Sequence, residues 1–272
     1  AADNYYQLVS TKEELAAINT TNLAGNYMLA DDIDLANAAH TPIGGNSYGA
    51  FTGKFDGNFF QSKNIEVSGV DNAGLFGVLN GASIYNVGVV GGTIASSTTS
   101  GIYAGGIAGD ARNSHLYNIY VKGTKVNGEP SAHGGLVGHT ANTTIDGAYS
   151  KAQVGVDGVG IVGYAEPGTK ITNTYNDSVY IAHPDSAALF LGVVSIRNAA
   201  AIENSYTTSR SISTADNLIE DKFKNVFAAS TTAGYMENLR SLKVLDAYAS
   251  KTYTVSYDTT QPPSYPGWDI NN

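Results

Sequence analysis

Residues 134–154 read GGLVGHTANTTIDGAYSKAQV, and this stretch decides the fold. A glycine-bounded apolar pair, Gly135-Leu136-Val137-Gly138, comes first. Turn residues follow, then a short phrase opened by Ile145, and the stretch closes on the β-branched Val154. The opening phrase recurs as Gly74-Leu75-Phe76-Gly77, Gly106-Ile107-Ala108-Gly109 and Gly160-Ile161-Val162-Gly163, with a degenerate copy at Leu189-Phe190-Leu191-Gly192. Its closing glycines fall at 77, 109, 138, 163 and 192, in steps of 32, 29, 25 and 29 residues. The second phrase recurs at Ile84-Tyr85-Asn86, Leu116-Tyr117-Asn118, Ile171-Thr172-Asn173 and Ile202-Glu203-Asn204, and the third lies around Ile94, Val126, Val154, Ile181 and Ile212. Three strand-like phrases and three turns leave no room for a helix inside a unit. A unit of this kind buries its apolar face only by stacking on copies of itself.

Stacking three-strand coils predicts an all-β right-handed parallel β-helix, the pectate-lyase-like solenoid; the hand follows from the preference of parallel crossovers. Coils pair at about 4.8 Å. Ile84, Leu116, Ile145, Ile171 and Ile202 then line one inward column. Asn86, Asn118, Asn173 and Asn204 stack their amides at a corner, in a row that Gly147 interrupts.

A solenoid needs its open ends covered. At the front, Ser10-Thr11-Lys12-Glu13-Glu14 offers a capping box to a short amphipathic helix through Leu15 and Ile18. At the back, Met236, Leu239, Leu242 and Leu245 have helical spacing, and the tail Pro262–Ile270 holds the sole tryptophan, Trp268. The chain reads as one domain, with a cap over 1–26, coils over 27–215 and a C-terminal helix and cap over 216–272.

Composition agrees with strands and narrows function. Charged residues are 14% of the chain against 31 glycines and 18 tyrosines. Net charge is −9, and no basic stripe could neutralise a run of phosphates, which argues against nucleic-acid binding. No apolar run is long enough to insert in a membrane as a helix. Cysteine is absent, as in many exported bacterial proteins, and the opening Ala-Ala-Asp is what a removed leader would leave. An extracellular module, monomeric when isolated, is the expectation.

These phrases resemble the GLUG repeat of bacterial surface proteins, also found beside the catalytic domains of IgA-specific metallopeptidases; residues 134–154 are the closest copy. The opening segment is similar to that family too, through Asp32-Ile33-Asp34-Leu35, Pro42-Ile43-Gly44 and Phe51-Thr52-Gly53-Lys54-Phe55-Asp56-Gly57, as is the ending Gly267-Trp268-Asp269-Ile270. The resemblance implies a surface-exposed β-helix of the adhesin type. It does not bring the peptidase chemistry: His40, His115, His133, His139 and His183 include no H-E-x-x-H pair.

Several residues are candidates for function. Arg112, His115, Lys122 and Lys125 form the one basic cluster of the repeats and could hold a carboxylated glycan. Tyr120, Tyr149, Tyr175 and Tyr206 each stand four residues after the second-phrase aliphatic and form an aromatic column, either a flat face for sugar rings or structural stacking. Asp31, Asp32, Asp34 and Asp56 are calcium candidates, although they lack the spaced loop pattern; no other cofactor is implied. The acids Asp110, Glu129, Asp146, Asp157, Glu166 and Asp177 fall mostly in turns, without the repeated carboxylates of a polysaccharide lyase or glycoside hydrolase. The expected role is non-catalytic adhesion to glycans, mucin components or other host-surface groups. A polysaccharide-processing enzyme and a structural stalk remain the alternatives.

Overall fold

The computed structural model describes residues 5–45, 48–97, 102–128, 132–155, 158–180, 194–196, 201–207 and 223–228. Strand β1 (Gln7–Val9) leads into helix α1 (Lys12–Thr21) and then β2 (Asn26–Leu29), which pairs with β1 in parallel. The helix is therefore the crossover of a first coil, and the sheet begins ahead of it. Of the two possible capping boxes the structure uses Thr11 and Glu14: the Glu14 amide donates to Thr11 Oγ1 at 3.2 Å, and Glu14 Oε2 accepts from the Thr11 amide at 3.2 Å. Leu15 and Ile18 bury its inner face, and Asn19 binds the backbone of both Pro42 and Gly44, fixing the helix to the opening segment.

After β3 (Ile33–Asp34), β4 (Lys54–Asp56) and β5 (Gln61–Val70), the chain repeats one path. Each turn visits a three-stranded sheet, a five-stranded sheet and a wide sheet of 12 strands, with parallel neighbours throughout. The turns run β6 (Asn72–Ala73), β7 (Phe76–Asn80), β8 (Ser83–Ser96); then β9 (Tyr103–Gly105), β10 (Ala108–Arg112), β11 (His115–Asn127); then β12 (Ala132–Gly134), β13 (Val137–Ala141), β14 (Thr144–Val154). A fourth turn follows with β15 (Val162–Ala165), β16 (Lys170–Asn176) and β17 (Val179–Tyr180), before β18 (Val194–Ile196), β19 (Ala201–Thr207) and β20 (Phe223–Ala228). This is the expected parallel β-solenoid. Its wide sheet extends past 215, since β20 pairs with β19. The back helix over 236–247 and the Trp268 tail lie outside the described residues.

The phrases divide among the sheets differently from the expectation. The glycine phrase spans the corner between the three- and five-stranded sheets. In β8, β11 and β14 the second and third phrases are one continuous strand, bent at Asn86, Asn118 and Gly147. Asn173 bends β16 in the same way, φ at the four lying between 53° and 66°, and β17 follows there as a separate strand. Short Asx side chains tolerate that left-handed backbone, and the ladder bonds continue through the bend. At the corner, glycine is required by contact: a Cβ on Gly134 would lie 2.3 Å from Val137 O and one on Gly105 2.4 Å from Ala108 O.

The aliphatic column is as read. Ile84 pairs with Leu116, Leu116 with Ile145, Ile145 with Ile171 and Ile171 with Ile202, and all five are fully buried. The amide row is present as well, with Asn118 Nδ2 donating to Asn86 Oδ1 at 2.7 Å and Asn86 Nδ2 to Asp56 Oδ1 at 3.1 Å. A second row, not anticipated, links Asn142 to Asn113 and Asn113 to Asn80, each at 2.9 Å.

Candidate functional site

The predicted basic cluster does not form one site. Arg112 ends β10 in the five-stranded sheet, whereas His115, Lys122 and Lys125 lie on β11 of the wide sheet, with the Asn118 bend between His115 and the two lysines. Residues adjacent in sequence around a corner face different directions.

Tyr120, Tyr149, Tyr175 and Lys122 do share a face, while Lys125 lies beyond a further bend at Gly123. Ile119 and Val121 are fully buried, so period-2 alternation turns Tyr120 and Lys122 outward. Tyr120 pairs with Tyr149, Tyr149 with Tyr175 and Tyr175 with Tyr206, while Lys122 pairs with Lys151. The Tyr120 and Tyr149 rings stack 4.9 Å apart at 11°, and both residues are buried. Tyr120 also lies over Gly88, where a Cβ would meet its ring at 2.1 Å. Burial pushes the Tyr120 hydroxyl up to about 12 against the opposing effect of its hydrogen bond with the Gln61 side chain. The two facing rings cover one another and are closed off from solvent, with Lys122 and Lys151 partly exposed beside them.

The calcium candidates are engaged in the backbone and its neighbours. Asp31 accepts from the Asp32 amide, Asp34 from the Ala36 amide and Asn64, and Asp56 from the Asn58 amide and Asn86. Asp32 accepts from the Gln61 amide and pairs with Lys63 Nζ at 2.6 Å. Among the described residues no group of three or more His, Asp or Glu side chains is placed to hold a metal ion.

A denser constellation stands at the glycine corner. Inside β10, Ala111 is buried inward, and alternation places Asp110 with the exposed Arg112 on the outer side, in a strand rather than a turn. Asp110 pairs with His139 on β13, and His139 with Tyr164 on β15, one residue per coil. Tyr103 reaches across from β9 and stacks on the His139 ring at 4.4 Å and 14°, and Tyr164 stacks on its other side at 5.6 Å and 15°. The imidazole is fully buried between them.

The polar contacts of this stack are specific. His139 Nδ1 donates to Asp110 Oδ1 at 2.7 Å, and Asp110 Oδ2 accepts from Arg112 Nε at 2.9 Å. His139 Nε2 lies 3.2 Å from Glu166 Oε1 without the alignment of a hydrogen bond. Asp110 is buried, while the Arg112 and Glu166 side chains are 49% and 45% exposed. The hydrogen bond that Arg112 donates to Asp110, then the Asp110 charge, holds the guanidinium above its ordinary value. Burial raises the Tyr103 hydroxyl, and the Asp110 carboxylate raises it further.

Sequence reasoning singled out Arg112 but missed Tyr103, Asp110, His139 and Tyr164 as partners. A signal existed: Val78, Asp110, His139 and Tyr164 each immediately follow the closing glycine of a repeat phrase. Their chemical diversity conceals the shared position.

No family model and no curated protein matches the chain. Among solved structures, one from Bacteroides ovatus, provisionally assigned as an immunoglobulin A1 protease, aligns with a TM-score of 0.69 at 18% identity, over 98% of this chain and 94% of its own. A second, described as an IgA1 protease, aligns over 81% of this chain and 21% of its own at 17% identity; its TM-score of 0.44 supports no argument. The first likeness shows a shared fold.

Proposed function

We propose that this chain is a non-catalytic ligand-binding module of an exported bacterial surface protein, and that it contacts glycans of a host or mucin surface through the glycine corner. The Tyr103–His139–Tyr164 stack, with Arg112 and Glu166 at its rim, carries the reading. Partly exposed aromatic edges beside fixed charged groups suit a sugar, which offers apolar C–H faces and a ring of hydroxyls. The rungs bring them from three successive coils to one place, so little ordering entropy remains to be lost on binding.

The same geometry favours holding over proton transfer. Both oxygens of Asp110 are already engaged, one by His139 and one by Arg112. A glycosidase needs one carboxyl group free to give its proton to the leaving oxygen and another facing the opposite side of the same bond. An exported location accords with the absence of cysteine.

The test is retention on a glycan and mucin array at two pH values, with and without calcium. The wild type is retained, and Arg112→Ala together with Tyr164→Ala releases it. Release of sugar from a polyuronate or glucan panel would instead show an enzyme and end the non-catalytic reading.

A further inference from the structure

We infer that Arg112 is the receptor for the carboxylate of an acidic sugar, and that the buried Asp110 and His139 are positioning residues that aim its guanidinium outward. This rests on the glycan-binding reading above and names the ligand class for the same corner.

The anchor of the site is the buried Asp110. A buried carboxylate is costly unless paired and hydrogen-bonded. Here Oδ1 takes the proton of His139 Nδ1, and Oδ2 takes that of Arg112 Nε. Bonding through Nε rather than through the terminal nitrogens has a geometric consequence. The guanidinium is a planar fork, so fixing its Nε edge fixes the direction of the remaining N–H groups. Those groups belong to a side chain that is half exposed. Asp110 is itself held because His139 cannot turn: two tyrosine rings clamp the imidazole on both faces. The chain of constraint runs from the ring stack to the carboxylate to the arginine.

A pre-aimed planar fork recognises a planar anion of matching width, and a carboxylate accepts two parallel N–H bonds from it. The partly exposed Tyr103 ring, stacked on the His139 that holds Asp110, suits the apolar ring that bears such a carboxylate, as in uronic and sialic acids. Glu166 gives the site a direction. It lies two coils from Arg112, about 10 Å along the axis at the ordinary inter-strand spacing. There it repels a second carboxylate and accepts from sugar hydroxyls. An acidic sugar therefore lies with its carboxylate at Arg112 and its hydroxyl side toward Glu166.

The other charged surface serves as the comparison. Lys122 and Lys125 stand on a different face, and a merely electrostatic attraction for anions would use them equally. Lysine heads are flexible point charges and give no preference for planar geometry.

The experiment measures binding of the whole chain to sialyllactose and lactose, and to an oligogalacturonate and its carboxyl-reduced neutral form, at low and high salt. The expected result is a preference of about tenfold or more for each carboxylated sugar, the size of one charge-assisted pair. That preference disappears in Arg112→Ala and falls sharply in Arg112→Lys, which keeps the charge and loses the fork. Arg112 is exposed enough for both variants to fold, which a far-ultraviolet circular dichroism spectrum checks. Asp110→Asn keeps the shape of the site and reduces the preference without removing Arg112; a purely structural Asp110 would leave the ratio of acidic to neutral binding unchanged. Equal binding of acidic and neutral sugars overturns the carboxylate assignment while leaving the glycan reading intact. A preference lost equally in Lys122→Ala with Lys125→Ala, and abolished by salt, also overturns it. Failure to bind any of the four sugars, with no glycan retained on the array, removes both.

Discussion

On β8 and β11 the inward positions carry Val87, Val89, Ile119 and Val121, all fully buried. Two coils later the same register holds Thr174 and Asn176, also buried: Val87 aligns with Ile119, Ala148 and Thr174, and Val121 aligns with Ser150 and Asn176. The later coils replace methyl groups with a hydrogen-bonded column. Ser150 and Ser178 hydroxyls meet at 2.8 Å, Thr174 and Ser205 hydroxyls at 3.1 Å, and Asn176 Oδ1 accepts from the Ser178 amide at 3.0 Å. The backbone ladder is common to both regions; the force that fills it is not. Apolar burial contributes in proportion to area, whereas a satisfied hydrogen bond contributes little net and costs much when broken. The fold tolerates the exchange because the ladder is set by backbone pairing and corners.

The largest effect separates the two regions directly. Ile119→Ala leaves a cavity between Val87 and Ala148 and costs about 3 kcal/mol. Thr174→Ala, its counterpart two coils on, removes a hydroxyl pair and costs about 1 kcal/mol. Urea denaturation of the two variants measures the difference; similar costs would mean that the columns are not distinct in kind. Thr174→Ala with Ser205→Ala should then cost less than the sum of the singles, since both remove the same hydroxyl–hydroxyl contact.

A second expectation concerns acid. In the early coils His40 is buried and its Nε2 donates to Leu75 O at 3.1 Å. Burial holds its ionisation below the ordinary value, with the carbonyl opposing in part. The native state thus binds fewer protons than the unfolded chain once the pH drops below the unfolded value of about 6.5. The stability that neutral His40 contributes is present above that pH and is lost as the pH falls through and below it. Melting temperatures taken from pH 7.5 to 5 should decline less steeply in His40→Asn than in the wild type. An identical slope would assign the acid sensitivity to other groups.

How much of this was legible follows from what each position repeats. The column Ile84, Leu116, Ile145, Ile171 and Ile202 is aliphatic at every step, and the asparagine of the second phrase recurs with a single gap. Both were read from the sequence. The Asn80–Asn113–Asn142 row repeats just as strictly, but it lies between phrases, where asparagine is ordinary turn material. Ser150, Thr174 and Asn176 were hidden for another reason. A binary pattern assigns polar residues outward, and only the cross-coil hydrogen bonds show that these point in. The corner site was hardest to see, since Val78, Asp110, His139 and Tyr164 share a position and no chemistry. Arg112 and Lys122 invited one grouping because sequence distance does not register the bend at Asn118.

The smallest expected effect tests the gap in the asparagine row. In that row each Nδ2 donates backward to the Oδ1 of the preceding coil, from Asn118 to Asn86 and from Asn86 to Asp56. Gly147 sits opposite Asn118 in register, at φ 66°, close to the 55° of Asn118 and the 53° of Asn173. Beyond the gap Asn173 Nδ2 turns to Asp146 Oδ1 instead, at 2.6 Å, and its own Oδ1 is buried without a partner. Gly147→Asn fits a backbone already in the left-handed region. Its amide can donate to Asn118 and accept from Asn173, and it removes the chain entropy of a glycine. These gains come to about 0.5–1 kcal/mol, a rise of a few degrees in Tm. Gly147→Ala is the control. It removes the same glycine entropy, lacks the amide and bears the left-handed strain of an ordinary Cβ, so it should melt below the wild type. If the two variants melt together, the stacked amides follow the corners without stabilising them, and the bends are held by the ladder alone.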